Sequence, residues 1–376
     1  MKTTQALDAA IDRALADKRI VGTVVQVARG GKVVFRRAAG YANREAKVPM
    51  TADAHFRLAS LSKPLVSAAA MALIEQRKLG LDETLERWLH PSGIAHRRDW
   101  GSITMRQLLT HTSGLGYRMS MPPDSPYEAA GITDGLDESP ITLDENVRRI
   151  ASVPLLFAPG TSWNYSLAID VLGAVLERVA GTGLAEVFER EIGRPLGMTD
   201  TTFHCRHPAR LTVPYVDGKP EPVLMSDPAE VPFQGSTIRF SPSRALNSQA
   251  YPSGGCGMVG TSDDFMRLLL ALLNGGRPIL KPATVTAMMA NQIGALQTLR
   301  GPGFGFGFGG AVITDPAAAQ TPQSVGTLSW GGVYGHSWFV DAPKEIAVLC
   351  MTNTAFEGMT GLLTTELRDA VYGTTA

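Results

Sequence analysis

The protein has 376 residues, and its 35 Lys and Arg side chains balance 35 Asp and Glu side chains, so the formal net charge is zero. A neutral chain without a basic block is not expected to bind nucleic acid as its main partner. The longest apolar run, residues 65–74, is too short to cross a bilayer, and neither a metal-ligand spacing nor a cofactor motif is evident.

Three cysteines, Cys205, Cys256 and Cys350, are widely separated along the chain. An odd number of distant cysteines predicts free thiols, which suit a reducing compartment. The first residues lack the apolar core of a signal peptide, so we expect a soluble protein of the cytoplasm. Cys256 lies among glycines without any signal that places a histidine beside it, and we do not expect it to be a nucleophile.

The first predicted elements are a helix and a hairpin. Apolar residues recur at helical spacing within residues 5–17, which predicts an amphipathic helix. Two β-branched runs, residues 23–27 and 32–35, flank Gly30 and Gly31, and this pattern predicts a tight β-hairpin.

The chain from about residue 50 to residue 230 has a mostly helical pattern that loops interrupt. Residues 119–140 have no clear period and many Pro, Gly and Asp residues, which predicts a lid or a binding loop. A second irregular stretch follows at residues 204–252.

Regular patterns return towards the C-terminus. Residues 262–273 predict a helix with Ser262 as its N-cap, and residues 359–371 predict another helix. Three runs between these helices predict strands, at residues 326–330, 336–340 and 346–352.

The order of these elements predicts the fold. A helix and a hairpin begin the chain, and strands and a helix end it, so we expect both termini to build one antiparallel sheet flanked by helices. The result is an α/β fold with an inserted all-α domain. The predicted sheet domain spans residues 1–50 and 235–376, the helical domain spans residues 51–234, and the active site lies in the cleft between them.

The most informative segment is Ser60-Leu61-Ser62-Lys63, which Pro64 follows. A serine and a lysine three positions apart share one helix face, so the amine can take the hydroxyl proton. Proline is tolerated in the first helical turn, which predicts Ser60 at or just before a helix N-terminus. The helix dipole and a semi-buried cleft are expected to lower the pKa of Lys63 and make it a useful base.

Two further segments carry residues that a cleft can use. Tyr165 follows the Pro159-Gly160 turn and precedes a helix, where a loop residue can reach a cleft. Trp330-Gly331-Gly332 lies at a predicted strand, and its paired glycines allow close approach by a substrate.

The histidines are predicted to be structural. His111 and Ser113 are spaced so that they lie on different faces of a helix, which argues against a Ser-His pair. His336 is expected to pack on its strand, and His55 has no partner visible in the sequence. The chain contains no G-x-S-x-G elbow, which argues against an α/β-hydrolase.

Five segments together resemble the serine β-lactamase and penicillin-binding-protein superfamily, and most closely the family VIII carboxylesterases with their class C β-lactamase fold. They follow the order of the family's motifs, at residues 56–64, 109–115, 159–167, 195–200 and 330–332. Agreement among separate motifs makes the resemblance specific.

The resemblance implies a role for each matching residue. Ser60 matches the nucleophile, Lys63 the base or proton relay, and Tyr165 the residue that activates the serine and returns a proton to the leaving group. Trp330-Gly331-Gly332 matches the K-T-G element that lines the cleft. The N–H group of Val333, just after that element, would pair with the N–H group of Ser60 as an oxyanion hole.

Two departures from the family pattern concern the substrate. Leu167 stands where the Y-x-N element has Asn, and Trp330 stands where K-T-G has Lys. An anionic lactam would lose an amide contact and the cation near its carboxylate, whereas a neutral ester can pack on Trp330 and Leu167. We therefore expect a serine carboxylesterase that hydrolyses short-chain neutral esters through an acyl-enzyme on Ser60.

Alternative functions share much of this machinery. An acyltransferase of the same fold would pass the acyl group to an alcohol or amine instead of water, and the acyl-enzyme step is common to both. A β-lactamase or a D-amino-acid peptidase is a third possibility. Retention of Ser60, Lys63 and Tyr165 together argues against a non-catalytic binding protein.

Overall fold

The computed structural model describes residues 2–89, 98–233 and 235–374. Its strands are β1 (Gly22–Arg29), β2 (Lys32–Asn43), β3 (Val48–Pro49), β4 (His55–Arg57), β5 (Tyr215–Val216), β6 (Val223–Leu224), β7 (Ala229–Phe233), β8 (Ser236–Phe240), β9 (Val259–Thr261), β10 (Phe304–Phe306), β11 (Ala311–Ile313), β12 (Leu328–Gly332), β13 (His336–Asp341) and β14 (Ile346–Thr352).

Most helices of the described part lie in one run between β4 and β5, and the others lie near the two ends of the chain. The helices are α1 (Lys2–Ala16), α2 (Ser62–Glu75), α3 (Leu85–Leu89), α4 (Arg98–Gly101), α5 (Met105–Leu109), α6 (Pro126–Ala129), α7 (Leu143–Ser152), α8 (Ala168–Ala180), α9 (Leu184–Phe188), α10 (Arg194–Leu196), α11 (Ser262–Leu273), α12 (Pro282–Met288), α13 (Glu357–Thr360) and α14 (Leu362–Tyr372).

The main sheet has eight strands in the order β10-β11-β12-β13-β14-β1-β2-β3. Neighbouring strands are antiparallel, and β1 from the start of the chain pairs with β14 from its end. The prediction of one antiparallel sheet built by both termini, with helices around it, is confirmed. The division into two domains at the predicted boundaries stays a prediction.

Strand β1 lies at the centre of the sheet and is buried on both faces. Val25 and Val27 belong to the core that α1 and α14 cover, whereas Val24 and Ala28 belong to the core on the other side. This alternation follows from the two-residue period of a strand. Gly30 and Gly31 connect β1 to β2 with φ values of 55° and 74°, as the hairpin signal predicts.

Helix α2, which follows Ser60, is deeply buried in the helical part of the molecule. Its residues from Ser62 to Leu73 are all buried, and the helix contacts α8 and α9. A helix enclosed on all sides is held rigidly by packing. Within the described ranges, no helix is both long and apolar enough to span a membrane.

Several predicted elements differ from the structure in detail. Thr261, not Ser262, is the N-cap of α11, because its side chain accepts a hydrogen bond from the N–H of Asp264. The predicted helix at residues 359–371 is two helices, since extended backbone at Gly361 separates α13 from α14. The irregular stretch at residues 204–252 contains the short hairpins β5–β6 and β7–β8.

Candidate active site

Ser60 lies in a sharp turn between β4 and α2. The turn is a 3-10 helix, Ala59–Leu61, that runs directly into α2. Ala59 has a φ of 45°, a left-handed conformation that is strained for a residue with a side chain. Ser60 is therefore placed just before the helix N-terminus, as predicted, with its hydroxyl at the wall of a cavity.

Lys63 lies behind Ser60 and is almost completely buried. Its ammonium donates to Ser60 Oγ at 3.2 Å and to the carbonyl oxygen of Gly255 at 2.8 Å. Burial lowers the pKa of Lys63, but the neighbouring Tyr165 and Asp170 groups favour the charged amine, and the pKa lies above its usual value. The expectation of a lowered pKa is therefore wrong, because it considered the helix N-terminus and burial without the groups that surround the amine.

Tyr165 meets Ser60 from the opposite side of the turn. Its hydroxyl donates to Ser60 Oγ at 2.8 Å, and it accepts a hydrogen bond from Trp330 Nε1 at 3.2 Å. The nitrogen of Lys63 lies 4.7 Å from the centroid of the Tyr165 ring. The Tyr165 hydroxyl is therefore held between Ser60 and Trp330, with the Lys63 ammonium beside its ring.

The cavity in front of Ser60 has a volume of about 740 Å³. Aromatic side chains form much of its wall, and residues from the long loop and from α13 border it. The lining residues are Ser60, Met119, Ser120, Trp163, Asn164, Tyr165, Phe233, Gln297, Leu299, Arg300, Trp330, Gly331, Val333, Met359, Thr360 and Thr364. Its size and its mixture of aromatic and polar side chains suit a small organic substrate.

Residues 7–372 match the model of the beta-lactamase family. The chain belongs to the beta-lactamase family.

Two relatives within this family are similar over nearly the whole chain. Esterase EstB of Burkholderia gladioli is 51% identical over 372 residues, which cover 97% of this chain and 94% of the relative. The solved structure of EstCE1, described as a hydrolase with promiscuous acyltransferase activity, is 47% identical, covers 99% of both chains and superposes with a TM-score of 0.96.

A more distant structure shares the fold alone. Unliganded simvastatin synthase (LovD) from Aspergillus terreus is 22% identical, with a TM-score of 0.76 over 99% of this chain and 98% of that one. The beta-lactamase family framework is therefore retained at low sequence identity.

The K-T-G-like strand of this beta-lactamase family member lies close to Ser60. Trp330, Gly331 and Val333 line the same cavity as the serine. Gly332 does not line it, because a Cβ there would lie 2.7 Å from the carbonyl oxygen of Leu58. The close approach that Gly332 permits is thus made by the nucleophile turn and not by a substrate.

Leu167 is a correction to the predicted substrate contacts. Its side chain is fully buried and does not line the cavity, and its N–H donates to the carbonyl oxygen of Gly116. The position is the N-cap of α8, so the side chain packs into the helical core. Asn164 and Trp163, from the same loop, line the cavity instead.

The cleft also contains a cation that the sequence did not reveal. Arg300 lines the cavity, and its Cζ lies 5.2 Å from the centroid of the Trp330 ring. Trp330 replaces the family's lysine, as the sequence shows, and Arg300 supplies a different cation to the cleft. No motif marks Arg300, which lies 30 positions before Trp330 in an irregular segment (330 − 300).

The three discussed histidines have structural contacts. His111 Nδ1 lies 3.0 Å from Ser166 Oγ, and burial lowers the pKa of His111 well below its usual value. His336 Nε2 donates to the carbonyl oxygen of Arg57 at 2.8 Å. His55 Nε2 lies 3.4 Å from Asp200 Oδ1. His336 is buried on β13, as predicted, and His111 pairs with Ser166 and not with Ser113.

Cys256 and Tyr117 are neighbours of the site that the sequence did not place there. Cys256 Sγ lies 4.0 Å from Ser60 Oγ and 3.9 Å from Lys63 Nζ. Burial raises the pKa of the Cys256 thiol, which keeps it neutral and unreactive. The ring of Tyr117 lies 5.1 Å from the ring of Tyr165. The only sequence signal was the glycine-rich stretch around Cys256, which brings Gly255 against Lys63.

Proposed function

We propose that this serine hydrolase is a carboxylesterase that cleaves short-chain neutral esters through an acyl-enzyme on Ser60. The observation that carries the proposal is that Ser60 Oγ accepts hydrogen bonds from both Lys63 and Tyr165 at the wall of a cavity. The likeness to Esterase EstB supports ester chemistry.

The arrangement supports a proton path through Tyr165. Ser60 attacks the ester carbonyl while its proton passes to the Lys63–Tyr165 pair, which in the reactive state holds one proton fewer than when both groups donate to Ser60. Tyr165 then gives the proton to the departing alcohol. Water repeats the sequence on the acyl-enzyme, and its proton returns through Tyr165 to Ser60.

The N–H groups of Ser60 and Val333 are proposed to bind the oxygen that becomes negative in the tetrahedral intermediate. Both residues line the cavity, and Gly332 allows their two segments to lie against each other. This proposal is independent of the identity of the alcohol.

A panel of p-nitrophenyl esters tests the proposed function. Butyrate should be cleaved faster than palmitate, a fluorophosphonate probe should label Ser60, and Ser60→Ala should abolish both reactions. Nitrocefin turnover should be at least about a hundredfold slower than butyrate hydrolysis, because the Trp330 ring, whose centroid lies 5.1 Å from that of the Tyr165 ring, blocks the approach of a fused ring to Ser60. Labelling of a different serine, or nitrocefin turnover equal to butyrate hydrolysis, would contradict the proposal.

Acyl transfer is a second candidate function, favoured by the description of EstCE1 as a hydrolase with promiscuous acyltransferase activity. Aromatic cavity walls can hold an alcohol close to the acyl-enzyme and exclude some water. Product analysis with vinyl butyrate and an added alcohol should then yield the new ester beside butyric acid. Butyric acid alone would restrict the enzyme to hydrolysis.

We also propose that the enzyme works in the cytoplasm. The support is that Cys205, Cys256 and Cys350 are all free and buried, as in proteins of a reducing compartment. Cell fractionation with an activity assay tests this location.

A further inference from the structure

The wall of the cavity carries a positive charge, which the binding of a neutral ester does not require. Arg300 is the charged side chain among the described residues that line the cavity, and no Asp or Glu is among them. A smaller adjoining cavity of about 160 Å³ shares Arg300 and Trp330, and its described lining also contains no Asp or Glu. The space next to Arg300 is therefore positive and without a counter-charge.

Arg300 is held by aromatic rings and not by hydrogen bonds. Its Cζ lies 5.2 Å from the Trp330 ring centroid and 5.9 Å from the Phe304 ring centroid. Within the described part of the chain, its guanidinium has no hydrogen-bond or ion-pair partner. Stacking occupies the faces of a guanidinium and leaves the N–H groups at its edge available to a planar anion.

Arg300 is exposed to the cleft, so its guanidinium faces the space that a substrate would fill. Desolvation lowers the pKa of Arg300, but an arginine side chain remains protonated near neutral pH. A cation that is partly desolvated and unpaired gains more from an anionic partner than a cation in bulk water does.

The contacts of Trp330 show where Arg300 lies relative to Tyr165 and Ser60. Trp330 donates to Tyr165, and Tyr165 donates to Ser60. In the proposed reaction Tyr165 protonates the departing alcohol, so the alcohol part of the ester leaves past Tyr165 and Trp330. A group attached to that alcohol then comes within reach of Arg300, which lies on the Trp330 ring.

We propose that Arg300 is a specificity-determining residue that binds a carboxylate carried by the alcohol part of the ester. This inference rests on the proposed esterase function and deepens it. Simple neutral esters are still cleaved, but the preferred substrates are esters whose alcohol part carries a carboxylate. Recognition is by a charge-assisted, two-point hydrogen bond between guanidinium and carboxylate.

A matched pair of aryl acetates tests the proposal. The meta-acetoxybenzoate ion and neutral meta-acetoxybenzamide have the same acyl group and leaving groups of similar size, and they differ in charge. The wild-type enzyme should cleave the benzoate with a kcat/KM about tenfold or more above that of the benzamide, mainly through a lower KM. High salt should reduce this preference.

Arg300→Gln should lower the ratio of kcat/KM for the benzoate to kcat/KM for the benzamide by about 10- to 100-fold. Arg300→Lys should retain part of the preference because it keeps the charge. Arg206, an exposed arginine outside this cavity, provides a matched control, and Arg206→Gln should change neither substrate.

The outcomes separate this inference from the proposed function. If neither ester is cleaved by the wild-type enzyme, the esterase function itself fails. If the benzamide is cleaved but the benzoate has no advantage, or if Arg300→Gln affects both esters equally, the role of Arg300 is overturned while the esterase function stands.

Discussion

Lys63 shows how burial and neighbouring groups compete at one side chain. A buried amine would ordinarily become neutral, but the groups around it raise its pKa overall. We therefore propose that Lys63 acts through its charge beside Tyr165. The two residues should act as one unit in proton transfer.

Lys63→Ala and Tyr165→Phe are each expected to lower kcat for p-nitrophenyl butyrate by about three orders of magnitude, since each removes the same proton path. The double variant should be only slightly slower than either single variant, because groups that act together are not additive. Steady-state kinetics of the four proteins measures this. Losses that simply multiply would show two independent roles.

Ser62 and Ser67 provide a contrast on one buried helix. Ser62 Oγ accepts a hydrogen bond from the N–H of Met258 at 3.1 Å, whereas the buried hydroxyl of Ser67 has no hydrogen-bond partner among the residues that the structure describes. Ser62→Ala should reduce the free energy of unfolding by about 1–3 kcal/mol, because it leaves a buried N–H unpaired. Ser67→Ala should be neutral or stabilising in the same urea titration. Equal losses for the two variants would contradict this assignment.

At the level of single elements, the N-cap of α11 connects a strand to a helix. Thr261 ends β9, pairs with His55 of β4, and caps α11 through the N–H of Asp264. Since α11 covers one face of the main sheet beside β1 and β14, its start helps to align the sheet with the nucleophile turn.

Thr261→Ala should lower the free energy of unfolding by about 1 kcal/mol, the usual contribution of a capping hydroxyl. Thr261→Ser keeps the hydroxyl and should recover most of that loss. Urea denaturation followed by circular dichroism compares the three proteins. A serine variant as unstable as the alanine variant would assign the effect to the lost methyl group.

At the scale of the whole molecule, the two ends of the chain are joined by ion pairs as well as by the sheet. Arg19 donates to Glu357 at 2.7 Å and to Glu366 at 2.8 Å, and its side chain is 18% exposed. Arg13 also reaches Glu366, at 3.2 Å, but its side chain is 55% exposed. The two arginines therefore allow a partly buried ion pair and an exposed ion pair with the same residue, Glu366, to be compared.

Arg19→Met should reduce the free energy of unfolding by about 2 kcal/mol, because the partly buried Glu357 loses its arginine and Glu366 keeps only the exposed Arg13. Arg13→Met should cost less than about 1 kcal/mol, as exposed ion pairs do. Chemical denaturation at low and moderate salt measures both. A larger loss for Arg13→Met would refute the importance of burial for this link.

The sequence predicts those elements near the active site whose conformation depends on residues close to them in the chain. The spacing of Ser60 and Lys63, the proline after them, and the turn glycines Gly30 and Gly31 predict their own conformations, because each depends on residues a few positions away. Strands with clear β-branched runs were also predicted. Short strands such as β10 and β11 were not, since pairing with neighbours and not their own sequence stabilises them.

The sequence by itself determined the fold class, the family and the order of the nucleophile, lysine and tyrosine, because those depend on local spacing and on motifs. The tertiary structure decided which charges surround them. Gly255 lies 192 positions after Lys63 and accepts its hydrogen bond, and Arg300 reaches the cleft only because its segment packs against β12. Charge and burial at a site depend on contacts between distant parts of the chain, and these arise only when the chain is folded.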